Sequence, residues 1–255
     1  MKTSVIGYPR IGSLRELKFA AEKYFRNEIS AEALLETAEN IRRENWDIQK
    51  KNGIDFIPSN DFSFYDNMLD TAVLFNAVPE RYKALELSEL DTYFAMARGY
   101  QGKSGDVRAL AMKKWFNTNY HYMVPEIEDT AEIKLVGTKP FDEFLEARKN
   151  GVKTKPVIIG AFTFLKLARF TGKKNISDFA DAVLSAYRAY LKRFGELGAE
   201  WLVFDEPYLV KDLSAEDISL FVSLYRKLLS EKHGVKVLPK HRYTLICVTA
   251  NFPTL

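Results

Sequence analysis

The 255-residue sequence has a single cysteine, Cys247, and therefore cannot form a disulfide within the chain. Disulfides are typical of oxidising compartments, so this composition favours a reducing one, and we expect a cytoplasmic protein. With one cysteine and three histidines, the sequence also lacks the paired ligands and short spacings of zinc sites. We expect no metal ion or other cofactor to bind this chain.

Long apolar runs are missing too. No segment approaches the roughly 20 apolar residues of a membrane span, and residues 1–10 contain no apolar signal core. Acidic and basic residues nearly balance, with 34 Asp+Glu against 37 Lys+Arg, and the two signs are interspersed. This pattern does not indicate a nucleic-acid-binding surface. We therefore expect neither a membrane nor a nucleic acid as a partner.

The hydrophobic content of 47% is that of a chain with a sizeable core. Short apolar segments alternate with longer amphipathic ones, which is typical of a buried parallel sheet covered by helices. The predicted strands are residues 4–8, 54–58, 119–124, 133–136, 156–160, 201–204, 235–238 and 244–249. Helices are predicted over residues 15–26, 31–51, 65–75 and 89–97, near Phe164, and after Ser177 and Ser214. The pattern predicts an α/β fold with a buried parallel sheet and five to six βα units, so that a (β/α)8 barrel would be incomplete.

Polar residues follow two predicted strands, at the end where barrel enzymes carry their active sites. Asp205 and Glu206 could serve in acid/base chemistry. Adjacent strand residues face opposite ways, however, so the alternative is a structural turn. Residues 59–61 (Ser-Asn-Asp) are the second such segment, and their alternative role is to cap the helix that begins near Tyr65.

Cations cluster after the first predicted strand, where Arg10, Arg15 and Lys18 surround the start of a predicted helix. Free backbone N–H groups at a helix start, together with these cations, suit carboxylates or phosphates. The alternative is a solvated first turn, although cations are unfavourable there because of the helix dipole. Lys113 and Lys114 offer a second possible contact to an anion.

His121 lies within a predicted strand and is flanked by two tyrosines. A lone histidine on a strand is more often a hydrogen-bonded core residue than a ligand, and both interpretations stay open.

Several longer segments, taken in order, resemble the N-terminal barrel of cobalamin-independent methionine synthase, a 5-methyltetrahydropteroyltriglutamate–homocysteine methyltransferase. They are residues 5–12 (VIGYPRIG), 15–18 (RELK), 57–66 (IPSNDFSFYD), 93–99 (YFAMARG), 114–122 (KWFNTNYHY) and 205–207 (DEP). The resemblance implies that residues 1–237 form most of this barrel. It also implies a folate-polyglutamate-binding part of an enzyme that transfers a methyl group from 5-methyltetrahydropteroyltri-L-glutamate to homocysteine, giving methionine.

Within the resemblance, two segments are expected to contact the glutamate tail of the folate and none to be catalytic. The implied binding residues are Arg15, Glu16, Leu17, Lys18 and Lys114. Four of these belong to one helix start, where cations would meet carboxylates. Glu16 fits an anion ligand less well, and we expect it to orient a neighbouring cation or the helix start.

The family's zinc is held by His, Cys, Glu and Cys in a C-terminal barrel, which also binds homocysteine. A sequence with one cysteine cannot supply this set. The resemblance therefore implies a methyltransferase family member that is inactive alone. Two alternatives stay open: a truncated, non-catalytic binding module or folded remnant, and an unrelated barrel enzyme that uses Asp205 or Glu206.

Residues 238–255 form a tail that diverges from the family pattern. From Lys232 to Leu255 there is no Asp or Glu, while two of the three histidines and the only cysteine lie there. A frameshift followed by early termination would produce such a composition, and so would an ordinary buried final strand.

Overall fold

The structure is a computed structural model that describes residues 2–241, 244 and 245. The chain divides into two compact units. Unit 1 comprises Met1–Phe64 and Lys139–Val157, and unit 2 comprises Tyr65–Thr138 and Ile158–Leu255. The boundary predicted from the sequence, between a barrel region at residues 1–237 and a divergent tail at residues 238–255, is a different one and stays a prediction.

The α-helices of the described residues are α1 (Glu16–Phe25), α2 (Ala31–Lys51), α3 (Asn67–Leu74), α4 (Glu80–Lys83), α5 (Glu89–Arg98), α6 (Lys139–Lys149), α7 (Ala161–Leu167), α8 (Ile176–Glu196) and α9 (Ala215–Leu228). A 3-10 helix spans Pro207–Val210. The strands are β1 (Ile57–Ser59), β2 (Tyr100–Gly102), β3 (Gly105–Val107), β4 (Met112–Lys114), β5 (His121–Met123), β6 (Glu126–Ile127), β7 (Thr154–Ile159), β8 (Arg169–Phe170), β9 (Trp201–Asp205), β10 (Lys236–His241) and β11 (Thr244–Leu245).

Unit 1 begins with two amphipathic helices, both predicted from the sequence. The Ser30 hydroxyl accepts a hydrogen bond from the Ala33 N–H and caps α2. Leu17 on α1 packs into a cluster with Ala38 and Ile41 of α2. The apolar stripes of the two helices therefore face each other, which fixes where the start of α1 lies within this unit.

Strand β1 pairs in parallel with the first half of β7, so that Ile57 lies opposite Thr154. The predicted strand at residues 4–8 is wrong, apart from a single parallel bridge between Ser4 and Phe56. Its backbone makes a different bond, because the Tyr8 N–H donates to the Asp61 carboxylate at 2.9 Å. The Asp61 side chain thus accepts the hydrogen bond that a neighbouring strand would accept in a sheet.

Unit 2 has a core rich in aromatic side chains. Phe75, Phe164, Tyr187, Tyr190 and Phe204 are all fully buried. The ring centroids of Phe75 and Tyr187 are 4.6 Å apart. Strand β9 pairs in parallel with β10, and β10 pairs antiparallel with β11. Residues 246–249 of the last predicted strand lie outside the described residues.

Two sequence predictions need correction, and one helix was not predicted. The N-cap of α8 is Asn175, which forms a capping box with Asp178, rather than Ser177. Residues 133–136 are not a strand, because the N–H groups of Lys134 and Val136 donate to carbonyls at the end of α3 and just beyond it. Helix α6, in unit 1, was not predicted from the sequence; its Pro140 lies in the first helical turn, where proline is tolerated.

Unit 2 also contains two antiparallel pairs, β2 with β3 and β4 with β5. Of these four strands only β5 was predicted. It has two buried side chains, whereas the side chains of the other three strands are largely exposed. Of the helices that the structure describes, none combines the length and the apolar character needed to cross a membrane.

Candidate functional site

The start of α1, in unit 1, carries four of the predicted binding residues. Arg15 is the N-cap and has a left-handed backbone, with φ 65°. The Glu16 carboxylate accepts a hydrogen bond from the Leu14 N–H at 3.0 Å, and Ser13 donates to it at 3.4 Å. A Cβ on Gly12 would lie 2.0 Å from the same carboxylate. Glu16 therefore closes the turn before the helix, in line with the expectation that it orients the helix start.

Leu17 and Lys18 differ sharply in exposure. The Leu17 side chain is 2% exposed and belongs to the core, so it holds α1 in place. Lys18 is exposed, with its ammonium 3.8 Å from the Glu22 carboxylate. An exposed pair of this kind is worth little, so Lys18 can exchange that partner for a ligand carboxylate. Arg10, by contrast, donates to the carbonyls of Ser63 and Phe64.

Residues 59–61 do not cap a helix, which corrects one of the two interpretations of this segment. The helix α3 is capped instead by Asp66, whose carboxylate accepts from the N–H groups of Met68 and Leu69. Asp61 is largely buried, and burial raises its pKa from 3.8 to about 6. Because it accepts the Tyr8 N–H, its role is to hold the N-terminal segment.

Lys114, in unit 2, lies on the short antiparallel pair of β4 and β5, where it faces His121. His121 is exposed, so the interpretation of this residue as part of the core is wrong. Lys113 and Lys114 are both exposed and line a cavity of about 610 Å³. The complete lining is Lys113, Lys114, Phe116, Asn117, Tyr122, Val124, Lys166, Leu167, Ala168, Arg169, Tyr208, Val210 and Lys211. We call this cavity the basic pocket.

The basic pocket has five cationic side chains and no aspartate or glutamate among its lining residues. One of the five cations is paired with a carboxylate outside the lining, since the Lys166 ammonium lies 2.7 Å from Asp217. The other four cations have no carboxylate among the lining residues, so they raise the electrostatic potential of the cavity and attract anions. The pocket is therefore suited to a ligand with more than one negative group.

Two walls of the pocket are joined by Glu206, which is fully buried. Its carboxylate accepts hydrogen bonds from the N–H groups of Phe162 and Thr163 at 3.0 and 2.7 Å, and from the Tyr225 hydroxyl at 2.6 Å. A Cβ on Gly160 would lie 2.2 Å from the carboxylate, so only glycine leaves room for it. Burial raises the pKa of Glu206 from 4.5 to about 7.

The segment 205–207 is thus a structural anchor rather than a pair of catalytic carboxylates. Glu206 has no access to a substrate, and Asp205 lies 3.7 Å from the Lys240 ammonium. Pro207 begins the 3-10 helix, whose Tyr208 N–H donates to the Thr163 hydroxyl at 3.2 Å. The anchor therefore fixes the 3-10 helix, with Lys211 directly after it, against α7, which carries Lys166.

Sequence reasoning found Lys113 and Lys114 but missed the other three cations of the basic pocket. Lys166 and Arg169 come from α7 and β8, and Lys211 follows the 3-10 helix. No local pattern marks these residues, since each is one cation in a different segment. The DEP segment was the nearest signal, although its role is to position the pocket wall.

No group of three or more His, Cys, Asp or Glu side chains that could hold a metal ion occurs within the described part of the chain. Cys247, the sequence's one cysteine, lies outside the described residues. A zinc site with two cysteine ligands does not fit this residue content.

Residues 2–248 match the family model described as "Cobalamin-independent synthase, N-terminal domain". The chain belongs to this family. Similar proteins named 5-methyltetrahydropteroyltriglutamate–homocysteine methyltransferase include those of Streptococcus sanguinis, 56% identical, and Campylobacter jejuni subsp. doylei, 57% identical, each over 238 residues. Each alignment covers 93% of this chain and 32% of the relative, so the chain spans about a third of these relatives' length.

The fold of the chain is similar to that of a solved structure from Listeria monocytogenes that is described as a vitamin-B12-independent methionine synthase. It matches 94% of this chain and 65% of its own, with a TM-score of 0.62 and 14% identity. The α/β barrel-type fold predicted from the sequence is thereby confirmed. The barrel is incomplete in the described residues, of which six strands take part in parallel pairs rather than eight.

Proposed function

We propose that this chain is the folate-polyglutamate-binding part of a cobalamin-independent methionine synthase. Membership of the family supports this proposal, together with the names of its relatives. The observation that carries it is the basic pocket, because Lys114 shares it with four further cations and no lining carboxylate. A glutamate tail is a string of carboxylates, which is what such a pocket would bind.

The start of α1 is proposed as the second contact for the tail. Lys18 and Arg15 would supply its cations, and Glu16 and Leu17 would hold the turn and the helix in place. The ligand would be 5-methyltetrahydropteroyltri-L-glutamate, and the protein would work in the cytoplasm.

We infer that the chain alone does not form methionine. Methyl transfer to homocysteine requires the thiolate, because the thiolate is the nucleophile, and a free thiol with a pKa of about 8.5 is mostly protonated at neutral pH. In the family a zinc ion deprotonates it, bound by a ligand set that a sequence with one cysteine cannot supply. Homocysteine would bind only through the family's C-terminal barrel.

The test is calorimetric titration of the 255-residue chain with 5-methyltetrahydropteroyltriglutamate, which gives the binding affinity. Lys114→Gln and Lys18→Gln should each weaken binding by about two- to five-fold, the range for exposed charge pairs. The matched controls are Lys103→Gln, in the turn between β2 and β3, and Lys23→Gln, at the end of α1. Each control removes one positive charge from an exposed position in the same unit as the variant it matches.

Unchanged binding in Lys114→Gln and Lys18→Gln would contradict the proposed sites. An absence of binding by the unmodified chain would favour the alternative of a folded remnant. Methionine formed from the triglutamate and homocysteine with added zinc, once traces of full-length enzyme are removed, would contradict the inferred inactivity.

A further inference from the structure

We propose that Lys211 and Arg169, with Lys166, form a subsite for the carboxylates of the tail that lie beyond the one bound by Lys114. This inference rests on the proposed function and extends it to residues that sequence reasoning missed. It makes the basic pocket the determinant of how many glutamates the protein recognises.

The first argument is the charge of the pocket. Five cationic side chains line about 610 Å³, and no lining residue is a carboxylate. Lys166 is paired with Asp217, which lies outside the lining, and the other four cations repel one another without such a partner among the described residues. The volume falls in the range of sites for small molecules, about 300 to 1,000 Å³. A ligand with a single carboxylate at Lys114 would leave Arg169 and Lys211 without an anionic partner, whereas a ligand with several carboxylates would pair with these cations as well.

The second argument is that two of these lysines are held in place before any ligand arrives. The Lys166 ammonium is fixed by Asp217 at 2.7 Å and lies 5.3 Å from the centre of the Tyr208 ring. The Lys211 ammonium lies 5.1 Å from the Tyr208 ring and 5.7 Å from the Phe116 ring. Cations held over aromatic faces lose less freedom when they bind an anion, which favours binding.

The backbone of Phe116 provides the third argument. Its φ of 54° lies in the left-handed region, which is rare for a bulky residue because it is strained. Such strain is concentrated at binding and active sites. Here it places the Phe116 ring under Lys211 and against Tyr208, 6.5 Å between ring centres. The strained residue thus helps to build the subsite.

The experiment measures binding of three probes to the 255-residue chain: tri-γ-glutamate, 5-methyltetrahydropteroyltriglutamate and inorganic tripolyphosphate. The test variants are Lys211→Gln and Arg169→Gln, with Lys103→Gln as the matched control and Lys211→Arg as the conservative replacement. Each test variant should weaken binding of tri-γ-glutamate by about two- to five-fold. Lys211→Arg should restore most of it, and thermal unfolding should match that of the unmodified chain.

The outcomes separate this proposal from the proposed function. Affinity unchanged in Lys211→Gln and Arg169→Gln, but lowered in Lys114→Gln, would overturn the subsite and leave the proposed function standing. A second outcome is that the test variants bind tri-γ-glutamate more weakly while the unmodified chain binds tri-γ-glutamate and 5-methyltetrahydropteroyltriglutamate with equal affinity. That result would support the subsite and count against recognition of the folate itself. Tighter binding of tripolyphosphate than of tri-γ-glutamate, or no binding of either, would overturn the assignment to carboxylates.

Discussion

Replacing the buried anchor of the basic pocket, Glu206→Gln, should change how stability depends on pH. The side chain keeps its size but can no longer ionise. Its NH2 group would face one of the two N–H donors that the carboxylate now binds, those of Phe162 and Thr163. Losing a buried hydrogen bond in this way costs about 1–3 kcal/mol, and we expect Glu206→Gln to be destabilised by that amount in acid.

The pH effect follows from the raised pKa. Burial raises the pKa of Glu206 from 4.5 to about 7, so the folded state holds its proton more tightly than the unfolded state. The stability this provides is fully present below pH 4.5 and is lost as the pH rises through 7. A difference of 2.5 units corresponds to about 3 kcal/mol between pH 4 and pH 8. Glu206→Gln does not lose stability in this way, because the amide does not ionise. The difference in the free energy of unfolding between the unmodified chain and Glu206→Gln should therefore shrink as the pH rises.

The assay is urea unfolding at pH values from 4 to 8, with the free energy of unfolding compared between the unmodified chain and Glu206→Gln. Asp61 and Asp66, whose pKa values burial also raises to about 6, titrate in both proteins, so they cancel in the difference. Glu86→Gln, at an exposed position of the same unit, should leave the profile unchanged. If Glu206→Gln and the unmodified chain show parallel pH profiles, the reasoning about this carboxylate is refuted.

Two further variants test the supports of the proposed contacts. Leu17→Ala removes a side chain that is 2% exposed and should lower the free energy of unfolding by about 2–5 kcal/mol in urea titrations; a loss below 1 kcal/mol would contradict the core role given to Leu17. Gly160→Ala should cost about 1–3 kcal/mol and weaken tri-γ-glutamate binding, because its Cβ would lie 2.2 Å from the Glu206 carboxylate and push apart the walls that Glu206 joins. Unchanged unfolding and binding in this variant would show that Glu206 does not set the spacing of those walls.

The elements that sequence patterns predicted well are those whose signals are local. Helix α2 has a serine cap, a continuous apolar stripe and Gly53 just beyond its end, and its bounds were predicted from these three features. The strand at residues 4–8 failed because its backbone bonds to Asp61, a residue more than 50 positions away. The strand predicted at residues 133–136 failed for the same reason, because the backbone N–H groups of this segment bond to distant carbonyls at the end of α3 and just beyond it.

The candidate site was predictable only where a segment carried two signals at once. Lys114 stands beside a second lysine and a tryptophan, and it belongs to a segment that resembles the family. Lys166, Arg169 and Lys211 are single cations in separate elements, and only the folded chain brings them to one cavity. Glu206 was noticed for its charge, but burial, which decides its role, depends on packing against α7 and α9.

The central claim, that this chain binds the polyglutamate tail of a folate, is tested most directly by comparing mono- and triglutamate forms of 5-methyltetrahydrofolate. Calorimetric titration of the unmodified chain at low and high salt gives both affinities under the same conditions. The account predicts tighter binding of the triglutamate, with an advantage that shrinks as salt screens the exposed cations. Equal affinity for the two forms, at either salt concentration, would contradict it.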